Sequence, residues 1–431
     1  MKILFCSDSL NHVTGMGHVI LNIINGLNKE YKDLEIVYCT FTGQPSNKED
    51  YIYHGVEYKS LFDKMDFEYI SPMDSNKQDI FDKVISYHKP DLVFSFVDAW
   101  LLEPIAYSDY RENYKWITYL TFEVNDYPIW CYFPCFKYKQ ARINIKELLS
   151  RADINIPVAK IGENNLKNFD VKYCDNVYHG LDVEILNSIE NKATLKKSDV
   201  FGEAVKDTDF LFMTLGKNTE RKRVDFVVDA FHKFLISKKE EERENYKLYI
   251  HSNINETYDS GTDLLTMITS LGITKNIVVP DCYRKNEELS KVELYKRYLV
   301  SDCYVSLSVG EGFGLGAIDA LLCGKPLVAS EDTVVQEIGE GCGFFVSTMI
   351  DVPARNNYIR FKYPDVKSVS KLMWAMEMII KKGKEDYKFF VKNCNEATKD
   401  LTWKNCVNKI KVQIDEVMKN PKKVKYFLRK V

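Results

Sequence analysis

The sequence predicts an α/β protein made of two doubly wound, Rossmann-like domains, and three observations carry that expectation. Short apolar runs alternate with amphipathic helical stretches, the pattern of parallel sheets built from βαβ units. The runs fall into two sets of similar size, one in each half of the chain. The 431 residues also exceed what one ordinary core supports.

In the first half the strands read Ile3–Cys6, Leu34–Tyr38, Leu92–Phe96, Lys115–Tyr119 and Ile154–Val158. In the second half they read Phe210–Thr214, Lys247–His251, Ile277–Pro280, Cys303–Leu307 and Pro326–Ala329. The polar stretch from Asn187 to Asp209 separates the two sets. The expected division is therefore an N-terminal domain over residues 1–195 and a second domain over 196–400. A helix from Thr402 to Met418 closes the chain, and the basic tail from Lys419 to Lys430 is expected to be a solvated end.

Hydrophobic content of 45% and charged content of 28% are globular values. A net charge of −3 gives no bulk attraction to nucleic acid or to anionic lipid, and nucleic acid is not an expected partner. The eleven cysteines are irregularly spaced, without a CxxC pair, and Cys131 and Cys135 lack the matching cluster that zinc requires. They read as reduced thiols of a cytoplasmic protein. The chain opens directly on a strand rather than on a secretory leader, and no run approaches the ~20 apolar residues of a membrane helix.

The most informative stretch is Ser306–Ser330. An apolar strand runs into a Gly-rich turn, Gly310-Glu-Gly-Phe-Gly314, which opens a helix. Free amides in such a turn, at a helix N-terminus and beyond the carboxyl end of a strand, hold phosphate. Glu311 sits in the turn and Asp319 in the helix. A second loop, Gly216-Lys-Asn-Thr-Glu-Arg-Lys-Arg223, follows a strand and carries four cations, Lys217, Arg221, Lys222 and Arg223, in a position suited to a diphosphate. A third loop follows the first strand and carries Gly15-Met-Gly17. Asp207-Thr-Asp209 precedes a strand and so lies away from the ligand edge; it reads as a polar strand entry, and no metal site is expected.

Four segments resemble, in order, those of GT-B fold glycosyltransferases, and of glycosyltransferase family 4 in particular. They are Gly15–Gly17, Tyr178-His-Gly-Leu-Asp182, Gly216–Lys222 and Glu311–Ser330. The last, with the pattern E-G-F-G-L followed by G-x-P-L-V-A-S, is the specific one. The resemblance implies two Rossmann-like domains facing across a cleft, with the C-terminal helix (residues 401–431 with its tail) crossing back to the first.

It further implies retaining transfer of a sugar from a nucleoside-diphosphate sugar, UDP- or GDP-linked, to a hydroxyl of a glycan, lipid or small-molecule acceptor, with no cofactor. By that resemblance Lys217 and Lys222 meet the donor diphosphate, Glu311 the donor sugar, and Asp319 the ribose. Gly15, Gly17, Gly216, Gly312, Phe313, Gly314 and Leu315 line the donor site. Glu123 stands where many members have a His near the transferred sugar. Asp319 replaces the usual Glu, and Gly316 replaces a common Pro, which is expected to loosen the turn. The aromatic segment Tyr127–Tyr138 is a candidate acceptor or headgroup contact, with loop packing as the alternative, and a peripheral membrane contact is left open. The competing readings are a nucleotide-sugar epimerase or hydrolase of the same fold, and a non-catalytic sugar-nucleotide-binding protein.

Overall fold

The computed structural model describes residues 1–8, 14–42, 51–53, 56–58, 77–128, 130–133, 141–254, 261–280, 289–353 and 359–419. Contacts divide the chain into two compact units. One comprises Met1–Gly180, Ala354–Ile359 and Trp403–Val431, the other Leu181–Pro353 and Arg360–Thr402.

The first unit is built on β1 (Lys2–Asp8), α1 (Gly15–Glu30), β2 (Glu35–Thr42), α2 (Lys77–His88), β3 (Leu92–Ser95), β4 (Lys115–Leu120), β5 (Ile154–Pro157) and α3 (Lys160–Phe169). Its five strands are all parallel, in the order β2-β1-β3-β4-β5. Ile3, Leu4, Phe5 and Cys6 have no exposed surface, because β1 is covered on both faces. That is why its sequence is a continuous apolar run rather than an alternation. Helix α1 buries Val19, Ile20, Ile23, Ile24 and Leu27, the stripe that a 3.6-residue period places on one side. Thr14 caps it by accepting from the Gly17 amide at 2.9 Å.

The second unit carries β6 (Phe210–Leu215), α4 (Val224–Ile236), β7 (Tyr246–His251), β8 (Ile277–Val278), α5 (Lys291–Val300), β9 (Cys303–Ser306), α6 (Leu315–Leu322), β10 (Leu327–Ser330), β11 (Gly343–Val346), α7 (Val366–Lys382) and α8 (Lys384–Thr398). Its six-stranded sheet has the order β8-β7-β6-β9-β10-β11 and is parallel throughout. The order reverses between β6 and β9. A crevice opens beyond the carboxyl ends of two such strands, because the connections leave them in opposite directions. A short antiparallel hairpin, Thr348–Pro353 with Arg360–Pro364, follows β11.

The polar stretch 187–209 belongs wholly to the second unit. Lys197 reaches Asp302 at 2.7 Å, and the Phe201 ring lies 5.1 Å from that of Tyr249. The division by contacts therefore falls at Gly180, ahead of that stretch. Asp207 and Asp209 stand at the entry to β6. Asp207 accepts from the Ser198 amide and Asp209 from the Lys206 amide, both at 2.9 Å.

The last helix, α9 (Trp403–Met418), belongs to the first unit. It buries Cys406, Val407, Ile410 and Ile414 and packs on α1. Val407 occupies the space over Gly26 that a β-carbon would need, so its side chain packs directly on the α1 backbone there. Cysteines whose side chains are described are free, and all but Cys174 are buried. Among the described residues no helix is long and apolar enough to cross a membrane, and no cluster of three or more His, Cys, Asp or Glu could hold a metal ion.

Candidate active site

The loop after β6 and the loop after β9 are stitched together at the reversal point of the second sheet. The Val309 amide donates to the Arg221 carbonyl at 2.9 Å. The Arg221 guanidinium donates to the Gly310 carbonyl at 2.5 Å. Asn218 is buried and donates to the Thr262 carbonyl at 2.6 Å, which anchors the segment that presents Lys217 to solvent.

Glu311 lies at the centre of this junction. Its Oε1 is 2.6 Å from the Lys222 ammonium and its Oε2 is 3.3 Å from the Arg221 guanidinium. The carboxylate is nearly enclosed, with 8% of its side chain exposed, against 23% for Lys222 and 29% for Arg221. Burial by itself would raise the Glu311 carboxyl. The charges of Lys222 and Arg221 outweigh it and hold the group below its ordinary value, so it is anionic at neutral pH. Arg223, by contrast, turns away to Asp225, at 2.6 Å, and over the Phe226 ring.

Gly312, Phe313 and Gly314 continue the turn. Gly314 caps α6 in the left-handed region, with φ of 79°, where a side chain is disfavoured. Leu315 is the first residue of α6. Gly316 does not loosen this turn. The Tyr298 hydroxyl donates to its carbonyl at 2.8 Å, and a β-carbon there would stand 2.8 Å from the Tyr304 hydroxyl and 3.0 Å from Leu215. The Leu215 amide in turn donates to the Tyr304 hydroxyl at 3.2 Å. The space a proline ring would fill is taken by a tyrosine pair that braces the helix start.

Asp319 lies one turn further along α6 and is buried. Its Oδ2 is 2.6 Å from the Lys291 ammonium, and its Oδ1 accepts from the Tyr295 hydroxyl at 2.9 Å. Lys291 also lies 3.6 Å from Asp182, the last residue of the Tyr178–Asp182 segment.

The remaining candidates belong to the first unit. Gly15 and Gly17 form the first turn of α1, where the Gly17 amide is engaged by the Thr14 cap. Glu123 is half-buried in the loop after β4. Of the aromatic segment Tyr127–Tyr138, Tyr127 is buried against Phe122 at 5.2 Å and stacks in parallel with Trp100 at 6.3 Å. Trp130–Phe133 pair with Ala141–Asn144, and residues 129 and 134–140 lie outside the described residues. So do residues 420–431 of the basic tail.

Four residues at this edge were not singled out by their sequence. Arg221 lay within the cation run, but spacing does not tell which members turn inward. Lys291, Tyr295 and Tyr298 had no signal beyond the Ser290 cap that starts α5.

Two Rossmann-like units with a reversal-point site of this composition have the architecture of GT-B glycosyltransferases. The chain is similar over nearly its whole length to several solved structures of that fold. A sucrose-phosphate synthase from Thermosynechococcus elongatus is 14% identical, with 97% of this chain and 99% of that chain covered and a TM-score of 0.68. Anabaena HepE, solved in complex with UDP and glucose, is 14% identical, with 96% and 100% covered and a TM-score of 0.63. WaaG, a glycosyltransferase involved in lipopolysaccharide biosynthesis, is 11% identical, with 95% and 98% covered and a TM-score of 0.62. At such identities the likeness shows the fold. The sequence model of the family described as glycosyl transferases group 1 matches residues 196–348, the segment that carries Lys217, Lys222, Glu311 and Asp319. No curated protein matches the sequence.

Proposed function

We propose that the chain is a retaining glycosyltransferase of the family 4 type, moving a sugar from a nucleoside-diphosphate sugar to a hydroxyl of a glycan, lipid or small-molecule acceptor. The observation that carries this reading is the buried Glu311 carboxylate held by Lys222 and Arg221 at the reversal point of the second sheet. A chain that needed only a stable loop there would gain as much from apolar packing, since buried ion pairs are weak stabilisers. Two cations, Lys222 and Arg221, face one carboxylate and leave a net positive charge, for which a diphosphate is the complementary group.

In the proposed reaction the bond from the sugar's anomeric carbon to the β-phosphate oxygen breaks. A new bond forms to the acceptor oxygen on the same face, and the acceptor's proton passes to the leaving phosphate. The protein's task is to stabilise negative charge growing on the diphosphate. Lys222, Arg221 and Lys217 supply cations, and the turn Gly312–Leu315 supplies amides at a helix N-terminus. Glu311 orients Lys222 and Arg221 and offers its remaining lone pairs to sugar hydroxyls. Glu123, with the α1 turn at Gly15–Gly17, serves the sugar or the acceptor from the first unit.

UDP is the favoured donor nucleotide, since HepE was solved with it. The test is a donor screen: thermal shift with UDP, GDP and ADP, then turnover of the matching sugar nucleotides with and without hydroxylated acceptors. A response to one nucleotide with acceptor-dependent turnover is expected. Silence toward all three would defeat the reading, and turnover without any acceptor would favour an epimerase or hydrolase.

A further inference from the structure

The cluster around Asp319 has a layered build. The Asp319 and Asp182 side chains are 4% and 7% exposed, whereas Lys291, which lies against both, is 27% exposed. A molecule arriving from solvent therefore meets the Lys291 side chain before either carboxylate. The ammonium has three N–H donors. One is directed to Asp319 at 2.6 Å, and the pull of Asp182 at 3.6 Å accounts for a second. The Tyr295 ring lies under the ammonium at 5.0 Å, while its hydroxyl holds the other Asp319 oxygen. Burial alone would drive the Lys291 proton off, but the two carboxylates outweigh it and keep the group charged.

The position of the cluster narrows what it could meet. Lys291 is the first residue of α5, which leads down into β9, so its end stands at the carboxyl edge of the sheet. Asp319 is one helical turn from the Gly314 cap where the diphosphate is placed above. In any nucleoside diphosphate the ribose is the neighbour of the α-phosphate on the side away from the sugar, and Glu311 occupies the sugar side. A cis-diol at that point offers acceptor oxygens to an ammonium.

We propose that Lys291 is the group that reads the ribose of the donor nucleotide, donating to its O2′ or O3′, and that Asp319, Asp182 and Tyr295 are positioning residues that act through it. This rests on the donor-site reading of the preceding subsection. It reassigns the ribose contact from the carboxylate at 319 to a cation held by that carboxylate.

The experiment is calorimetric titration of UDP, 2′-deoxy-UDP and 3′-deoxy-UDP into the wild-type chain and into Lys291→Met. A second variant, Lys291→Met with Asp319→Asn, removes both charges together and preserves the fold if the single change does not. The wild type should bind UDP about tenfold or more tightly than at least one deoxy analogue, the loss expected for one charge-assisted hydrogen bond. In the folded variants UDP should weaken to the level of that analogue, so that the discrimination disappears. The donor KM should rise while kcat changes little. Discrimination retained in either variant, or absent in the wild type while UDP binds, would overturn the assignment and leave the donor site standing. Failure of the wild type to bind UDP or GDP at all would overturn both.

Discussion

Replacing the two members of the Glu311–Lys222 pair should have opposite consequences for nucleotide binding. In Lys222→Met the enclosed carboxylate keeps only Arg221, at 3.3 Å, and loses its partner at 2.6 Å. Removing one member of a buried pair costs roughly 3–5 kcal/mol. The remaining guanidinium lowers the expected loss of stability to about 2–3 kcal/mol. In Glu311→Gln the charges left behind are those of Lys222 and Arg221, about a quarter exposed. They can hydrate, so the loss should be near 1 kcal/mol or below.

The diphosphate sees the reverse. Lys222→Met removes a cation and should weaken UDP binding by about tenfold or more. Glu311→Gln removes an anion from the same site, worth about 1 kcal/mol across a few ångströms of partly wet protein, and should tighten UDP binding several-fold. Sugar transfer should nonetheless fall in both, by roughly 10²–10³ for the lost cation. Urea denaturation, calorimetric titration of UDP and donor turnover measure the three quantities separately. If Glu311→Gln weakens UDP binding as Lys222→Met does, Glu311 is not an anion beside the diphosphate and the charge argument fails.

Gly316→Ala should cost about 1–3 kcal/mol by pressing a methyl group against the Tyr304 hydroxyl, and Tyr304→Phe in the same chain should recover part of it; thermal unfolding of the three variants checks this. His179 is buried beside Tyr119, at 2.8 Å, and burial pushes its pKa down to about 3 from 6.5. The unfolded chain therefore binds the proton first. The stability this neutral ring contributes is complete above about pH 6.5 and falls by roughly 1.4 kcal/mol per unit as the pH drops toward 3, a slope that His179→Gln should remove in urea titrations at pH 7.5 and 5.5. Transfer should survive a chelating agent, and strict dependence on a divalent cation, assayed by adding back magnesium or manganese, would contradict the cation-only account of the leaving group.

Much of this architecture was legible because parallel sheets covered on both faces write their strands as unbroken apolar runs. Ile3–Cys6, Phe210–Thr214 and Cys303–Leu307 stand out for that reason. The strand Gly343–Val346 did not, being four residues long, only half-buried for most of its length and on the sheet edge. At the site, the Gly-rich turn and the cation loop were visible because glycine and lysine are informative locally. The partners of Asp319 were not. Lys291 lies twenty-eight residues from it in sequence, and only the packing of α5 against α6 joins them. The brace at Gly316 was hidden for the same reason: a glycine read alone suggests freedom, and the hydroxyls that remove it come from Tyr298 and Tyr304.

The seating of Val407 over Gly26 bears on the order in which the protein is completed on the ribosome. The first unit takes its final helix from the last part of the chain, while the second is drawn almost entirely from the segment between. Synthesis from the N-terminus normally lets the leading domain finish first. Here the face of α1 around Gly26 stays uncovered until Trp403–Met418 has emerged, by which time the second unit is whole. The half that begins first finishes last, and its incomplete form is the one that would need protection from aggregation.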